Sequence, residues 1–269
     1  MFDDILACLD GSSLAEKILP LARGIAAAKG GKLTLLRVVA DVAELSSEEE
    51  YLRDCARQYS AQLSFSVSRD PANAIAAELA SHPNAIAALT THGRTAWAEA
   101  ILGSVAHRVL RESRRPVLLF RPLEKDGAPK QITTVVVALD GNELSEKMIP
   151  YAVEAAKALS AKLLLIEALP VQSPLPPLSA HERSDILESS YLHRKANEIK
   201  STHGINSQWE VLHGEPADAI CRHVKGMPET LLAMTTRGRR GLERAFLGSV
   251  TAACLRHAGV PLLLYWPHE

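Results

Sequence analysis

Apolar and polar positions alternate along the chain in blocks that predict strands and helices in turn. The apolar run FDDILACLD, which ends in Asp-Gly at residues 10 and 11, predicts a buried strand. Leu14, Ile18, Leu21 and Ile25 then follow at spacings of four, three and four. Because that is the period of one helix face, we expect a helix here, and the glycine pair at 30–31 ends it.

The same alternation continues through the first half of the chain. Further strands are predicted at 32–39, 63–68, 86–90 and from Pro116, and further helices at 46–62, from Pro71 and at 104–113. Because strands alternate with helices throughout, the pattern predicts an α/β fold. Its sheet is expected to be mostly parallel, with helices on both faces.

Two sequence segments recur in the same order, which indicates an internal duplication. TTHGRTAWAEAILGSV at 90–105 and TTRGRRGLERAFLGSV at 235–250 agree at nine of sixteen positions. LDGSSLAEKILP from residue 9 and LDGNELSEKMIP from residue 139 agree at seven of twelve. We therefore predict two tandem domains of the same kind, residues 1–122 and 131–269.

The spacing between the matching segments grows from 130 to 145 residues, so about fifteen residues are inserted in the second copy. The proline-rich piece LPVQSPLPPLSAHE at 169–182 accounts for them and predicts a surface flap or extended loop. The polar stretch EKDGAPKQ at 124–131 predicts a short linker, which requires the two domains to lie close together.

Composition narrows the classes of protein that fit this plan. The 269 residues are 47% hydrophobic and carry a net charge of −1, which gives no general attraction to nucleic acid or anionic membranes. No apolar run approaches the ~20 residues that span a bilayer, and the start MFDDILACLDGS carries acids where a signal peptide carries bases. We expect a soluble, cytoplasmic protein.

The four cysteines at 8, 55, 221 and 254 are far apart in sequence. That spacing favours buried, reduced thiols over a metal site or a redox motif. No metal ligand set and no catalytic group are predicted.

Candidate chemistry lies where the predicted strands end. In an open parallel sheet, ligands bind beyond the carboxyl ends of the strands, where the strand order reverses. The turns at Asp10 and Asp140 and the glycine loops that follow Thr90 and Thr235 are expected to meet there. Each loop leads to a helix that starts at Gly-Ser, where backbone amides, a hydroxyl and the positive end of the helix dipole suit phosphate. The loop is neither a Walker motif nor a dinucleotide fingerprint.

The ordered set of motifs resembles the universal stress proteins of the tandem type, over essentially the whole chain. The matching features are the first strand ending in Asp, the His-Gly-Arg or Arg-Gly-Arg loop, the Gly-Ser-Val helix start and the closing Pro-Val-Leu-Leu strand. The resemblance implies two doubly wound, open five-stranded parallel sheets in the order 3-2-1-4-5. It also implies an ATP site built on Gly-x2-Gly-x9-Gly-Ser/Thr, with loop amides and the Ser or Thr on the phosphates. The Asp after the first strand and the backbone after the second would hold the nucleoside.

The resemblance maps the site onto two sets of residues. In the first copy these are Asp10, Val38, Gly93, Gly103 and Ser104; in the second they are Asp140, Ala168, Gly238, Gly248 and Ser249, with Arg239 as a further phosphate contact. ADP or AMP could replace ATP, and Mg²⁺ could accompany the nucleotide.

The chain also departs from the family motif. Thr90 and Thr235 replace its first glycine, and threonine disfavours positive φ, so the phosphate is expected to sit differently or bind more weakly. Ala96 in the first copy replaces the glycine seen at Gly241. The second copy is therefore the better candidate.

Several alternatives stay open at this level. Asp10 and Asp140 could cap the first helix of each domain rather than touch a ligand, and the Gly-Ser pairs could be helix starts only. The predicted function is an ATP-binding stress or regulatory protein that hydrolyses ATP slowly or not at all. One alternative is an adaptor without nucleotide that acts through protein contacts; an adenylating enzyme ranks last, because no catalytic set faces the cleft.

The two apolar segments PVLLFRP and PLLLYWP predict the last strand of each domain. We expect residues 117–120 to pair with residues 262–265 within the chain, because this pairing covers two exposed sheet edges. The two domains would then form a pseudo-dimer, and a further homodimer is compatible with this arrangement.

Overall fold

A computed structural model provides the three-dimensional description of the chain. It describes residues 2–91, 102–122, 128–170, 179–227, 229–236 and 247–267, without the side chains of residues 46, 47 and 179–188. Among the sequence-predicted site residues, Gly93, Gly238 and Arg239 lie outside this described part.

The first half follows the predicted alternation of strands and helices. Its elements are β1 (Asp4–Leu9), α1 (Leu19–Ala28), β2 (Leu33–Val39), α2 (Leu45–Tyr59), β3 (Gln62–Val67), α3 (Pro71–Ser81), β4 (Ala85–Thr90), α4 (Ser104–Glu112) and β5 (Val117–Phe120). Short 3-10 turns at Ala15–Ile18 and Val42–Glu44 precede α1 and α2. The first predicted helix is thus divided into a 3-10 turn and α1, with Pro20 in the first turn of α1.

The second half repeats the plan and adds one short helix. Its elements are β6 (Thr134–Leu139), α5 (Glu143–Glu146), α6 (Ile149–Leu159), β7 (Lys162–Leu169), α7 (Ser179–His203), β8 (Ser207–His213), α8 (Pro216–Lys225), β9 (Thr230–Thr235), α9 (Ser249–His257) and β10 (Leu262–Tyr265). The loop predicted for 169–182 is wrong from Ser179 onwards, because helix α7 begins there. No proline follows Pro177 until Pro216, so nothing in the sequence prevents the helix from starting this early.

All ten strands form one sheet in the order β3-β2-β1-β4-β5-β10-β9-β6-β7-β8. Each half therefore has the order 3-2-1-4-5, and every pairing within a half is parallel. The halves join where β5 and β10 pair antiparallel, with Leu119 opposite Leu262 and Val117 opposite Leu264. The predicted pairing of the two apolar segments is confirmed, and it leaves β3 and β8 as the outer strands.

Helices cover both faces of the sheet and define two cores that each cross the junction between the halves. One core contains Leu21 of α1, Leu52 of α2, Ala152 of α6 and Leu192 of α7. The other core contains side chains from α3, α4, α8 and α9, among them Leu79, Val109, Val224 and Leu255. The doubly wound α/β architecture predicted from the sequence is confirmed.

Close backbone contacts hold the halves together beside α1. The Ala128 N–H donates to the Lys17 carbonyl over 3.1 Å, and a Cβ added to Gly24 would lie 1.9 Å from the Lys130 carbonyl oxygen. On the other face, the ring of Trp266, just after β10, lies 6.2 Å from the ring of His107 on α4. The linker therefore packs against α1 on one side of the sheet, where α1 also contacts α6, and the two halves touch again on the other side.

Candidate functional site

The candidate site lies at the carboxyl edge of the sheet, between the first and fourth strands of each half. In the second half, β6 lies between β7 and β9, so the chain leaves β6 on one side and returns to it on the other through β9. Asp140 directly follows β6 and Thr236 directly follows β9. This is the reversal of strand order at which open α/β sheets bind ligands.

The turn after β6 is organised by the side chains of Asp140 and Asn142. Asp140 Oδ1 accepts from the Asn142 N–H over 3.1 Å, and Asn142 Oδ1 accepts from the Leu144 N–H over 2.9 Å. Gly141, at φ 73°, occupies the left-handed conformation that the turn requires. Asn142 is therefore the residue that caps α5, and direct helix capping by Asp140 is wrong.

The first half builds the same turn with a serine. Asp10 Oδ1 accepts from both the N–H and the hydroxyl of Ser12, over 2.9 Å and 2.5 Å. The Ser12 hydroxyl oxygen in turn accepts from the Ala15 N–H over 3.1 Å. Asp10 and Asp140 are both partly buried. Each thus orients its turn and presents a carboxylate at the strand end.

The Gly-Ser helix starts have nearly identical geometry in both halves. Gly248 has φ −61° and ψ 152°, and Gly103 has φ −60° and ψ 153°. Glycine is the N-cap residue of both α9 and α4, so the N-cap supplies no capping side chain to either nine-residue helix. Ser249 and Ser104 are the first helical residues, and both are exposed. The first-turn amides, which have no partner within a helix, are therefore not occupied by an N-cap side chain.

Three threonines take part in the hydrogen bonds that join α9 to the end of β9. The Gly248 N–H donates to the Thr236 carbonyl over 2.7 Å, and Thr251 Oγ1 donates to the Thr235 carbonyl over 3.0 Å. Thr236 is fully buried, and its hydroxyl has no hydrogen-bond partner within the described residues. A buried hydroxyl in this state is uncommon in proteins, although the hydroxyls of Thr230 and Ser207 share it among the described residues.

Thr90 and Thr235 occupy the position of the first glycine in the family motif. Both end their strands in regular pairing, Thr90 opposite Phe120 and Thr235 opposite Tyr265. Neither has positive φ. The conformational penalty expected for threonine is therefore absent, because the chain is still an extended strand at this position.

Val38 and Ala168 lie where the resemblance predicts a backbone contact to the nucleoside. The last β1–β2 pair is Leu9 with Arg37, and the last β6–β7 pair is Leu139 with Glu167. Each candidate therefore lies one residue past the end of the neighbouring first strand. The backbone carbonyl of each candidate therefore lies beyond the last pair with the first strand.

The two halves differ at the residue just before this contact. In the first half, Arg37 donates from Nη1 to the Val38 carbonyl over 2.8 Å and from Nη2 to Glu48 Oε1 over 2.7 Å. The hydrogen bond to Glu48 raises the pKa of Arg37 despite its burial. In the second half the equivalent residue is Glu167, which is 2% exposed. A carboxylate has no N–H with which to occupy the Ala168 carbonyl.

A second difference lies at the starts of the equivalent helices α3 and α8. Asp70 accepts from the Asn73 N–H over 3.2 Å and from Arg108 of α4 over 2.7 Å, and these bonds lower its pKa. Residues Gly214 and Glu215 stand at this place in the second half. Gly214 has φ 126°, and Glu215 makes no side-chain cap. The first half is thus cross-linked by an ion pair beside its candidate loop.

Sequence reasoning missed a tyrosine–glutamate contact that occurs in both halves. The Tyr191 hydroxyl donates to Glu146 Oε1 over 3.0 Å, and the Tyr51 hydroxyl donates to Glu16. In the second half, Lys195 also pairs with Glu146 over 2.7 Å. Burial and the nearby carboxylate of Glu146 raise the pKa of Tyr191. The tyrosines are offset by 140 residues and the glutamates by 130, so no single repeat spacing reveals the pair.

The described residues offer neither a metal cluster nor a membrane-spanning helix. They contain no group of three or more His, Cys, Asp or Glu side chains arranged to hold a metal ion. No helix in that part of the chain is both long and apolar enough to cross a membrane.

The fold and the paired helix starts define a duplicated, doubly wound α/β protein. A model of the universal stress protein family matches residues 41–121 and 131–265. Because these segments make up most of the chain, the chain belongs to the universal stress protein family.

Individual relatives agree with this assignment. A universal stress protein of Methanocaldococcus jannaschii is 28% identical over 136 residues, which cover 48% of this chain and 79% of the relative. The crystal structure of a universal stress protein from Archaeoglobus fulgidus is 21% identical and covers 99% of both chains with a TM-score of 0.72. A protein of unknown function from Pseudomonas aeruginosa PAO1, also 21% identical, covers 99% of this chain and 93% of its own with a TM-score of 0.69. The two structural similarities concern the fold.

Proposed function

We propose that this protein is a regulatory protein of the stress response that binds an adenine nucleotide, with ATP as the favoured ligand. The observation that carries the proposal is the start of α9 at Gly248 and Ser249, beside the end of β9 at the reversal of strand order. Amides without an N-cap side chain, an exposed hydroxyl and the positive end of the helix dipole together favour a phosphate. No catalytic residue is proposed, and ATP hydrolysis would be slow at most.

The proposed binding mode uses three parts of the second half. The phosphates would contact the first turn of α9, Ser249 and the loop residues Gly238 and Arg239. Asp140 would accept hydrogen bonds from the ribose hydroxyls. The backbone carbonyl of Ala168 would accept a hydrogen bond from the adenine amino group. Mg²⁺ would enter only with the nucleotide.

The unpartnered hydroxyl of Thr236 supports a polar ligand at this place. It is buried directly below the helix start, where the Gly248 N–H is bonded to the Thr236 carbonyl. Buried hydroxyls usually find a partner, and a bound phosphate or its ordered water would supply one.

The second half is the proposed binding site, and the first half is proposed as its structural partner. The Arg37 guanidinium occupies the Val38 carbonyl that the base would need, and Asp70 holds Arg108 near the candidate loop. The adaptor alternative is therefore favoured for the first half. Asp10, Gly93, Gly103 and Ser104 would then serve the fold rather than a ligand.

The proposal also covers the assembly and its setting. The two halves, residues 1–122 and 131–269, would act as a pseudo-dimer, as the β5–β10 pairing supports. We also propose that the chain can form a homodimer and that it is cytoplasmic. Nucleic acids and membranes are not among its proposed partners.

The proposal can be tested by mass spectrometry. Freshly purified protein is denatured, and any nucleotide that it releases is identified. We expect one adenine nucleotide per chain, or one bound after ATP is added. Gly238→Val should abolish this binding, while Gly93→Val in the first half should preserve it. A chain that binds no nucleotide at millimolar ATP would exclude the proposal and leave the adaptor.

A further inference from the structure

Two cysteine side chains of the second half meet where α8 and α9 touch. Cys221 lies on α8 and Cys254 lies on α9, 33 positions later, with their sulfur atoms 3.9 Å apart. Both are free thiols. At this distance the sulfur atoms are in contact, so a bond between them needs side-chain rotation and a small approach of two neighbouring helices.

The two thiols differ in exposure and in acidity. Cys221 is 6% exposed and Cys254 is fully buried. The hydrogen bond between the thiols lowers the pKa of Cys221 against the effect of its burial, and Lys225 adds to the lowering. The same hydrogen bond, together with burial, raises the pKa of Cys254. Because Cys221 is the more exposed of the two and the charge of Lys225 favours its reactive thiolate, we expect an oxidant to modify Cys221 first.

The other two cysteines provide an internal contrast. The Cys8 thiol donates to the Leu6 carbonyl over 3.7 Å, and Cys55 lies beside Tyr51. Burial raises the pKa of both thiols. Cys8 and Cys55 lie in different cores, on opposite faces of the sheet, so they cannot pair with each other.

We propose that Cys221 and Cys254 are a redox modification site that forms an intramolecular disulfide when the protein meets a hydroperoxide. The Cys221 thiolate would attack one peroxide oxygen, the O–O bond would break, and Cys221 would become a sulfenic acid. With hydrogen peroxide, the departing hydroxide takes a proton and leaves as water.

The second step uses the contact between the helices. Cys254 loses its thiol proton and attacks the Cys221 sulfur, the S–O bond breaks, and a second water leaves. Two thiols are oxidised to one disulfide, and one hydroperoxide molecule is reduced. The sulfur atoms must move from 3.9 Å to about 2.05 Å apart. A thiol reductant reverses the reaction by exchange.

The bond would close a covalent ring around the candidate phosphate loop. The 33-residue separation between the two cysteines spans β9, the loop that follows it and the Gly248–Ser249 helix start. Oxidation would therefore restrict the movement of α9 relative to α8. Formation of the disulfide does not depend on nucleotide binding, so the two proposals can fail separately.

Peptide mapping of the folded, full-length protein tests the disulfide. The protein is treated with hydrogen peroxide, its remaining thiols are alkylated, and it is digested with trypsin without reduction. We expect residues 201–222 linked to residues 245–256, with loss of the link after reduction. The amounts of free thiol at Cys221 and Cys254 should fall to the same extent, whereas Cys8 and Cys55 should remain reduced and be alkylated.

Variants separate the two steps. In Cys254→Ala the linked peptide should be lost, and dimedone should trap a sulfenic acid at Cys221. In Cys221→Ala, Cys254 should remain a free thiol, whereas the control Cys55→Ala should keep the link. Circular dichroism verifies that each variant is folded. Oxidation of Cys221 beyond sulfenic acid with Cys254 still reduced, a link through Cys8 or Cys55, or no reaction at either thiol would overturn the proposal.

Discussion

The ion pair between Arg37 and Glu48 ties β2 to α2 in the first half, and its energy can be measured separately from the surrounding packing. The guanidinium donates to both carboxylate oxygens and to the Val38 carbonyl. The side chains are only 10% and 18% exposed, so water screens the pair weakly.

We expect Arg37→Met to destabilise the protein strongly. Removing one partner of a buried ion pair costs about 3–5 kcal/mol, because the other charge stays buried without its partner. The residual exposure of Glu48 places the expected cost near the lower end, at about 3 kcal/mol. The double variant Arg37→Met/Glu48→Gln leaves no uncompensated charge, so it should cost less than the sum of the single variants. The expected coupling energy is about 2 kcal/mol.

Denaturant unfolding monitored by far-UV circular dichroism gives the free energies of unfolding of the wild type, the two single variants and the double variant. If more than one transition is seen, the free energies are taken from the transition that the substitutions shift. The matched control is Arg53 with Glu49, an ion pair also on α2 whose side chains are 63% and 46% exposed. Its coupling energy should be about 0.5 kcal/mol or less. Additive effects at Arg37 and Glu48, or equal coupling at both pairs, would refute this reasoning.

Three further predictions concern the junction and the cores. Gly24→Ala should destabilise the protein by about 1–3 kcal/mol by overpacking, because the new Cβ would lie 1.9 Å from the Lys130 carbonyl oxygen; Gly226→Ala, with 3.5 Å of room, should be tolerated in the same thermal unfolding assay. Leu263→Ala should cost about 2–5 kcal/mol in denaturant unfolding, because Leu263 is fully buried where β10 pairs with β5; an unchanged midpoint would contradict that role. Burial, aided by the charge of Arg111, lowers the pKa of His107 below its ordinary value of 6.5. The contribution of neutral His107 to the free energy of unfolding is therefore complete above pH 6.5 and is lost as the pH falls through the lowered pKa. Unfolding measured between about pH 7 and pH 5.5 should therefore show a smaller loss of stability in His107→Gln than in the wild type, and an equal loss would contradict the assignment.

Most of the architecture could be predicted because it depends on local patterns that occur twice. The periodicity located the five strands of the first half, the duplication predicted the same plan for the second half, and the apolar segments indicated the pairing that joins β5 to β10. The helix starts at Ser104 and Ser249 follow from the recurring Gly-Ser pairs. These features depend on residues that are close in sequence or that match between the two copies.

The features that could not be predicted arise from contacts across the fold. Arg37 and Glu167 occupy equivalent strand positions, but only packing shows that Arg37 turns back to the Val38 carbonyl. The contact of Cys221 with Cys254 depends on how α8 lies on α9. Capping of α5 by Asn142 rather than by Asp140 depends on the local course of one turn.

The most direct test of the nucleotide proposal compares two matched serine substitutions by calorimetric titration with ATP. Ser249→Ala removes the exposed hydroxyl at the start of α9, and Ser104→Ala removes its equivalent on α4. A hydrogen bond to a charged phosphate contributes about 1.5–3 kcal/mol, which is roughly tenfold or more in affinity. We expect this loss in Ser249→Ala and an unchanged affinity in Ser104→Ala. Equal affinities in both variants and the wild type, or the same loss in both variants, would contradict a nucleotide site in the second half.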